Sequence, residues 1–349
     1  MGIPLNRNLW IDALRAFLAL GVVHSHSLLY FEEDVMGFHN AIVECFAVFR
    51  VPSFFFIAGY VLCFQLSRVF NRKKDAIPLI SKRFRQLIIP SVIFTLVPSV
   101  YVGIEFFSKF NTAHYFLPAL FLIILCFCLL YALIFKFSRL SQCIILLAYA
   151  LATTLIMRYL TYRPIEGYFH WRQALHGNLF FILGVVTSQY SRILLPILKK
   201  PIVTVSLGIL YALTYSFLVL YLPESPYGGV EVLFRRIMCP ILGIYFVFSL
   251  FYSISRFFKP NNFLGKLSFF LGQRSLPLYV LQDASFLIIY YFIDTDAVSY
   301  PQIVSLFAFV ITAVLIVIIH EIICRFKVVN KYVFGRKEPL MSFKQIFLK

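Results

Sequence analysis

Apolar residues in this chain fall in long unbroken runs instead of alternating with polar ones. Ile303 to Ile319 and Phe116 to Phe135 each pass without a single charged side chain. Such runs approach the roughly 20 residues that a helix needs to cross a bilayer. Lipid offers no partners to backbone N–H and C=O groups, so a run buried in it must be a helix. An outer-membrane barrel would instead alternate polar and apolar positions, which these runs do not. The pattern predicts an all-α integral membrane protein of about ten transmembrane helices, near 11–30, 41–63, 87–107, 115–135, 141–160, 177–191, 202–222, 235–254, 275–293 and 303–323.

The segments between these runs sort by charge. Arg68, Arg72, Lys73, Lys74, Lys82, Arg83 and Arg85 fall between the second and third, and Lys136 and Arg139 between the fourth and fifth. Arg192, Lys199 and Lys200 follow the sixth, and Arg256, Lys259, Lys266 and Arg274 the eighth. A basic tail covers 325–349. Glu32, Glu33 and Asp34 follow the first run and Asp294 and Asp296 the ninth, with Arg163 and Arg172 as exceptions on that side. Basic loops stay in the cytoplasm, which puts both termini there and agrees with an even number of spans. No linker, repeat or soluble appendage interrupts the chain, so 1–349 reads as a single transmembrane domain.

Composition agrees. Of 349 residues 61% are hydrophobic and 13% charged, against about 25% charged in a soluble domain. The net charge of +17 is spread over short loops, as in topology determinants, and no nucleic-acid footprint is expected. The seven cysteines are scattered, mostly within apolar runs, and neither a disulfide framework nor a metal site is expected. Asp12 and Arg15 interrupt the first run, which argues against a cleavable signal peptide.

Ionisable residues inside a span are costly and face the protein interior, so each is a candidate for function. The first span carries Asp12, Arg15, His24 and His26. Eleven residues at about 100° each bring His26 back to the face of Arg15, about 16 Å along the axis, while His24 falls nearly opposite. Asp12 is spaced to pair with Arg15. Glu44 in the returning second span lies at about the depth of His26, and a carboxylate beside a histidine fixes its tautomer and raises its basicity. The plainer readings are that Arg15 and His26 hydrogen-bond neighbouring helices and that Glu44 pairs elsewhere.

Asp12-Ala13-Leu14-Arg15-Ala16 with His26, and Phe49-Arg50-Val51-Pro52-Ser53-Phe54-Phe55-Phe56-Ile57-Ala58-Gly59-Tyr60, resemble the first two spans of the acyltransferase-3 family of membrane acyltransferases. Lys82-Arg83-Phe84-Arg85 before Pro90 resembles that family's arginine motif, and His114-Tyr115-Phe116-Leu117 and Ser275-Leu276-Pro277-Leu278-Tyr279 resemble later blocks. The chain departs from the pattern at Ala58, Lys82 and Gln282, where members carry Ser, Arg and often His.

The resemblance implies transfer of an acyl group, commonly acetyl from cytoplasmic acetyl-CoA, to a hydroxyl of a surface glycan or lipid-linked sugar. The setting would be a bacterial inner membrane, and no metal is required. Arg15, Arg50, Lys82, Arg83 and Arg85 then become the donor-side residues, since guanidinium and ammonium groups hold CoA phosphates. His26 becomes the general base or a transient acyl carrier, with Glu44 beside it. Tyr168, Trp171, Arg235 and Arg236 become acceptor-side candidates. The rival reading is a proton-coupled transporter that uses the same buried Arg, His and Glu groups as a relay.

Overall fold

The computed structural model describes residues 7–31, 38–71, 76–102, 115–161, 171–221, 234–292, 301–334 and 342–347, and among them there are helices and no strand. In chain order these are α1 (Leu9–Phe31), α2 (Phe38–Asn71), α3 (Ile77–Val102), α4 (Phe116–Ile134), α5 (Arg139–Thr161), α6 (Trp171–Gln189), α7 (Ser191–Leu198) and α8 (Pro201–Tyr221). A π turn at Phe234–Met238 leads into α9 (Cys239–Ser253). The rest are α10 (Phe263–Gln273), α11 (Ser275–Val280), α12 (Gln282–Phe292), α13 (Pro301–Arg325), α14 (Lys327–Val333) and α15 (Lys344–Phe347).

The chain is a multi-pass membrane protein. Six described segments are long and apolar enough to cross a bilayer: Val43–Leu66, Phe116–Ile134, Arg139–Met157, Pro201–Leu218, Arg235–Ser253 and Ile303–Arg325. The pair α6 and α7 makes a seventh if taken as one span bent by 98°. On α8, Ile202, Val205, Ile209, Leu213 and Phe217 are exposed at helical spacing, and on α13 so are Leu306, Val310, Val314 and Ile318. Such stripes are costly in water and belong against lipid.

Among the described residues fewer segments pass this test than the ten expected, and for two of the expected spans the reason is physical. The 23 residues of α1 are long enough, but Asp12, Arg15, His24 and His26 dilute its apolar character. The expected ninth span, 275–293, is two short helices broken at Leu281.

α1 lies at the centre, in contact with α2, α9, α10, α11, α12 and α13. That position lets a span rich in ionisable groups avoid lipid. Its first turn is fixed from two sides. Gly272 of α10 approaches so closely that a Cβ there would meet the Cβ and carbonyl oxygen of Asp12. Arg7, whose guanidinium lies 4.6 Å over the Phe269 ring, clamps the Asp12 carboxylate.

α2 runs unbroken through Pro52, and the Ser53 hydroxyl donates to the Phe49 carbonyl at 2.8 Å. Its tightest partner is α6. A Cβ on Gly59 would meet the carbonyl oxygen of Phe181, and one on Gly184 that of Phe56. Reciprocal glycines of this kind let two membrane helices pack backbone to backbone.

The segment 255–274, expected as a basic loop, contains α10. Asn262 caps it, accepting from the Gly265 amide at 2.7 Å. Arg274 is fully buried. Its guanidinium donates to Glu321 of α13 and, at 3.0 Å, to the Phe270 carbonyl, and stacks 3.6 Å from the centre of the Phe270 ring. It is an internal brace, not a loop charge. The basic tail also packs back over its described part, since Phe334 and Ile346 are buried.

Candidate active site

Arg15, Ala19 and Val22 recur at helical spacing on one face of α1 and line a cavity of about 260 Å³. Val51, Phe54, Ala58, Val61 and Leu62 of α2 form the second wall, with Arg83, Gln86 and Leu87 from α3. Phe116, Leu117, Leu120 and Ile124 of α4, Tyr279 of α11 and Phe334 close it. The lining is apolar apart from a few groups, chiefly the guanidiniums of Arg15 and Arg83. Arg83 is held in place, donating to Gln65 Oε1 at 2.8 Å and Gln86 Oε1 at 3.2 Å. An apolar channel with cations inside suits a long chain that ends in phosphates.

Several donor-side expectations change here. Lys82 and Arg85 are exposed and do not line the cavity, because on α3 they flank Arg83 at helical angles that point away from it. Arg85 bonds only its own helix among the hydrogen bonds resolved, Nε to the Ser81 carbonyl at 3.4 Å. Asp12 does not hydrogen-bond Arg15. Its carboxylate accepts from Arg7 Nε at 2.6 Å and Nη2 at 2.9 Å, a bidentate fork that Arg7 reaches from just before α1. Arg50 is not on this side. It donates to the Gly21 carbonyl at 2.9 Å and to the Ser25 hydroxyl, bracing α2 against the far half of α1.

His26 continues the Arg15–Ala19–Val22 face, one turn past Val22. It is half-buried, and its Nδ1 lies 3.6 Å from Asp283 Oδ1. Asp283 stands in the first turn of α12, directly after the break at Leu281, which aims it at α1. Glu44 is exposed on α2 and faces Tyr215 of α8 electrostatically, so among the described residues the carboxylate beside His26 is Asp283 and not Glu44. His24 turns the other way and meets the Phe309 ring of α13 edge-on, centroids 5.1 Å apart. Two histidines two residues apart thus have different surroundings, as helical phase requires.

A family model for an acyltransferase domain matches residues 8–322. The chain belongs to that family, acyltransferase-3. No curated protein and no solved structure matches it. The match covers α1 to α13, so both the Arg15 cavity and the His26–Asp283 pair lie within the acyltransferase domain.

A second cavity, about 620 Å³, lies beyond the first. Val51 lines both, and the rings of Phe54 and Phe55, packed on Phe116 at 5.7 and 4.8 Å, stand between them. Arg50, Tyr115, Arg172, Gln173, His176 and Arg236 are among its lining residues. Of the acceptor-side candidates, Arg236 lines this cavity. Trp171 starts α6 next to it, with the Arg172 guanidinium 5.6 Å over its ring. Arg235, in the π turn, does not line it, and Tyr168 lies outside the described residues, as does His114. Among the described residues no cluster of His, Cys, Asp or Glu is able to hold a metal ion.

Asp283, Arg172 and His176 are not among the site residues that the sequence singles out. Asp283 was legible, since it is an ionisable residue within the predicted ninth span, the same criterion that singled out Arg15. Arg172 and His176 flank the start of a span in a stretch rich in basic and aromatic residues, which reads as interfacial anchoring.

Proposed function

We propose that this acyltransferase takes an acetyl group from cytoplasmic acetyl-CoA and places it on a hydroxyl of a surface glycan or lipid-linked sugar at the outer face of a bacterial inner membrane. Both termini and the Arg15 end of α1 lie in the cytoplasm in this reading. The observation that carries it is the single helical face of α1 that runs from Arg15, inside an apolar cavity, to His26 beside Asp283. Arg15 and Arg83 hold the phosphates of CoA, and the apolar walls take the pantetheine arm. The distance from Arg15 to His26, about 16 Å along the helix, is of the order of that arm, so the thioester reaches His26 while the nucleotide stays inside.

In one form of the reaction His26 removes the proton of the acceptor hydroxyl as its oxygen attacks the thioester carbonyl. The C–S bond then breaks, and the proton held by the imidazole passes to the departing thiolate. In the other, the imidazole nitrogen attacks the thioester carbonyl, the C–S bond breaks and the thiolate leaves as the thiol with the ring's N–H proton. The hydroxyl oxygen then attacks the acetyl-imidazole, the C–N bond breaks and the hydroxyl proton returns to the imidazole. Asp283 favours the protonated imidazole of the first form electrostatically and keeps the ring oriented in both.

The experiment is turnover of radiolabelled acetyl-CoA by the purified protein in nanodiscs. Labelled acetate should be released slowly when water replaces the acceptor, and label should pass to the glycan when it is supplied. A protein that binds no acetyl-CoA and turns none over would end this reading and return the buried Arg and His groups to a transport role.

A further inference from the structure

The second cavity carries more positive charge than a neutral sugar needs. Arg50, Arg172 and Arg236 line it with His176, and among its described lining residues none is acidic. They come from three separate places, α2, the first turn of α6 and the π turn before α9, so tertiary packing gathers them. α6 is pressed into α2 at this level, since a Cβ on Gly177 would strike the Phe55 ring.

Bringing like charges together in a partly dehydrated space is unfavourable, and a counter-ion offsets the cost. A buried donor adds to the demand, because Arg50 Nε has no hydrogen-bond partner among the described residues. Arg50 already spends Nη1 on α1, which fixes the orientation of its remaining donors. Guanidinium groups gathered this way match a phosphate or carboxylate, whose oxygens accept paired N–H donors.

We infer that this cavity is an anion subsite for the acceptor. The sugar that receives the acyl group carries a negative charge, a phosphate or a carboxylate, held by Arg50, Arg172 and Arg236 while its hydroxyl faces the His26 side of the wall at Val51. The inference rests on the proposed reaction for the word acceptor, but anion binding is measured without acetyl-CoA. Failure of transfer with anion binding intact would therefore sink the reaction and spare the subsite.

The test is binding of three probes that share one tail, decyl phosphate, decyl glucuronide and decyl glucoside, to the full chain in phosphatidylcholine nanodiscs. One anionic probe should bind at least about tenfold more tightly than the glucoside, the equivalent of one charge-assisted contact. Which of the two wins tells phosphate from carboxylate. Arg172→Gln and Arg236→Gln should each remove most of that preference. Arg236 is exposed, so its variant keeps the test open should Arg172→Gln fail to fold. Equal binding of all three probes, or a preference unchanged in Arg236→Gln, would overturn the subsite. In nanodiscs containing phosphatidylglycerol the preference should persist. If the anionic lipid abolishes it, the cavity belongs to a lipid headgroup and the acceptor assignment falls.

Discussion

Replacing Asp283 with Asn keeps the size of the side chain and removes its charge, which isolates what the carboxylate does for His26. At 3.6 Å the interaction with an imidazolium is about 1 kcal/mol in bulk water and about 5 kcal/mol at an effective dielectric constant near 20. The two side chains are 32% and 25% exposed, so solvent screens the pair and the working figure lies well below the upper value. About 1–3 kcal/mol of lost stabilisation corresponds to a rate about 5- to 150-fold lower, provided the imidazolium forms at the transition state. The assay is release and transfer of label from acetyl-CoA in nanodiscs, with thermal unfolding measured alongside. Asp283→Asn should lower the turnover rate with little change in the affinity for acetyl-CoA, because Asp283 does not line the donor cavity. Glu44→Gln should leave turnover near that of the wild type. Normal turnover in a folded Asp283→Asn protein, or a large loss in Glu44→Gln, would refute the pairing and restore the partner that the sequence suggested.

His26→Ala should lower transfer by about 10²–10⁴-fold, as loss of a general base does, while His24→Ala, against the Phe309 ring, should cost little in the same label-transfer assay. Arg83→Ala should weaken acetyl-CoA binding about 10- to 150-fold, the loss of a hydrogen-bonded charged contact, whereas Lys82→Ala and Arg85→Ala should change it little by equilibrium binding. On a background without the native cysteines, single cysteines at positions 34 and 294 should label with a membrane-impermeant reagent in intact cells and one at position 73 should not. Labelling at 73 would move the donor side out of the cytoplasm.

What the sequence disclosed and what it withheld divide along a physical line. Features that depend on one helix and its solvent were legible. An uncharged run such as Ile303–Ile319 must be helical in lipid whatever packs beside it, and the phase of a straight helix carries Arg15 to His26 without reference to any other segment. Features that depend on which helices become neighbours were not. Arg274 followed an apolar run and looked like a loop charge, but its counter-charge, Glu321, sits far along the chain on α13. Glu44 and Asp283 were both carboxylates within predicted spans. Only the break at Leu281, which turns α12 toward α1, decides between them. Arg50 shows the same limit most clearly. It lies in the best-matched motif of the second span, yet its side chain braces the far half of α1 at Ser25 and opens into the second cavity. Adjacent positions 54 and 55 of the same motif serve different cavities, because at about 100° per residue a helix forming a shared wall gives neighbouring side chains to opposite sides of it. A motif read as one unit is, in three dimensions, the partition between the two cavities.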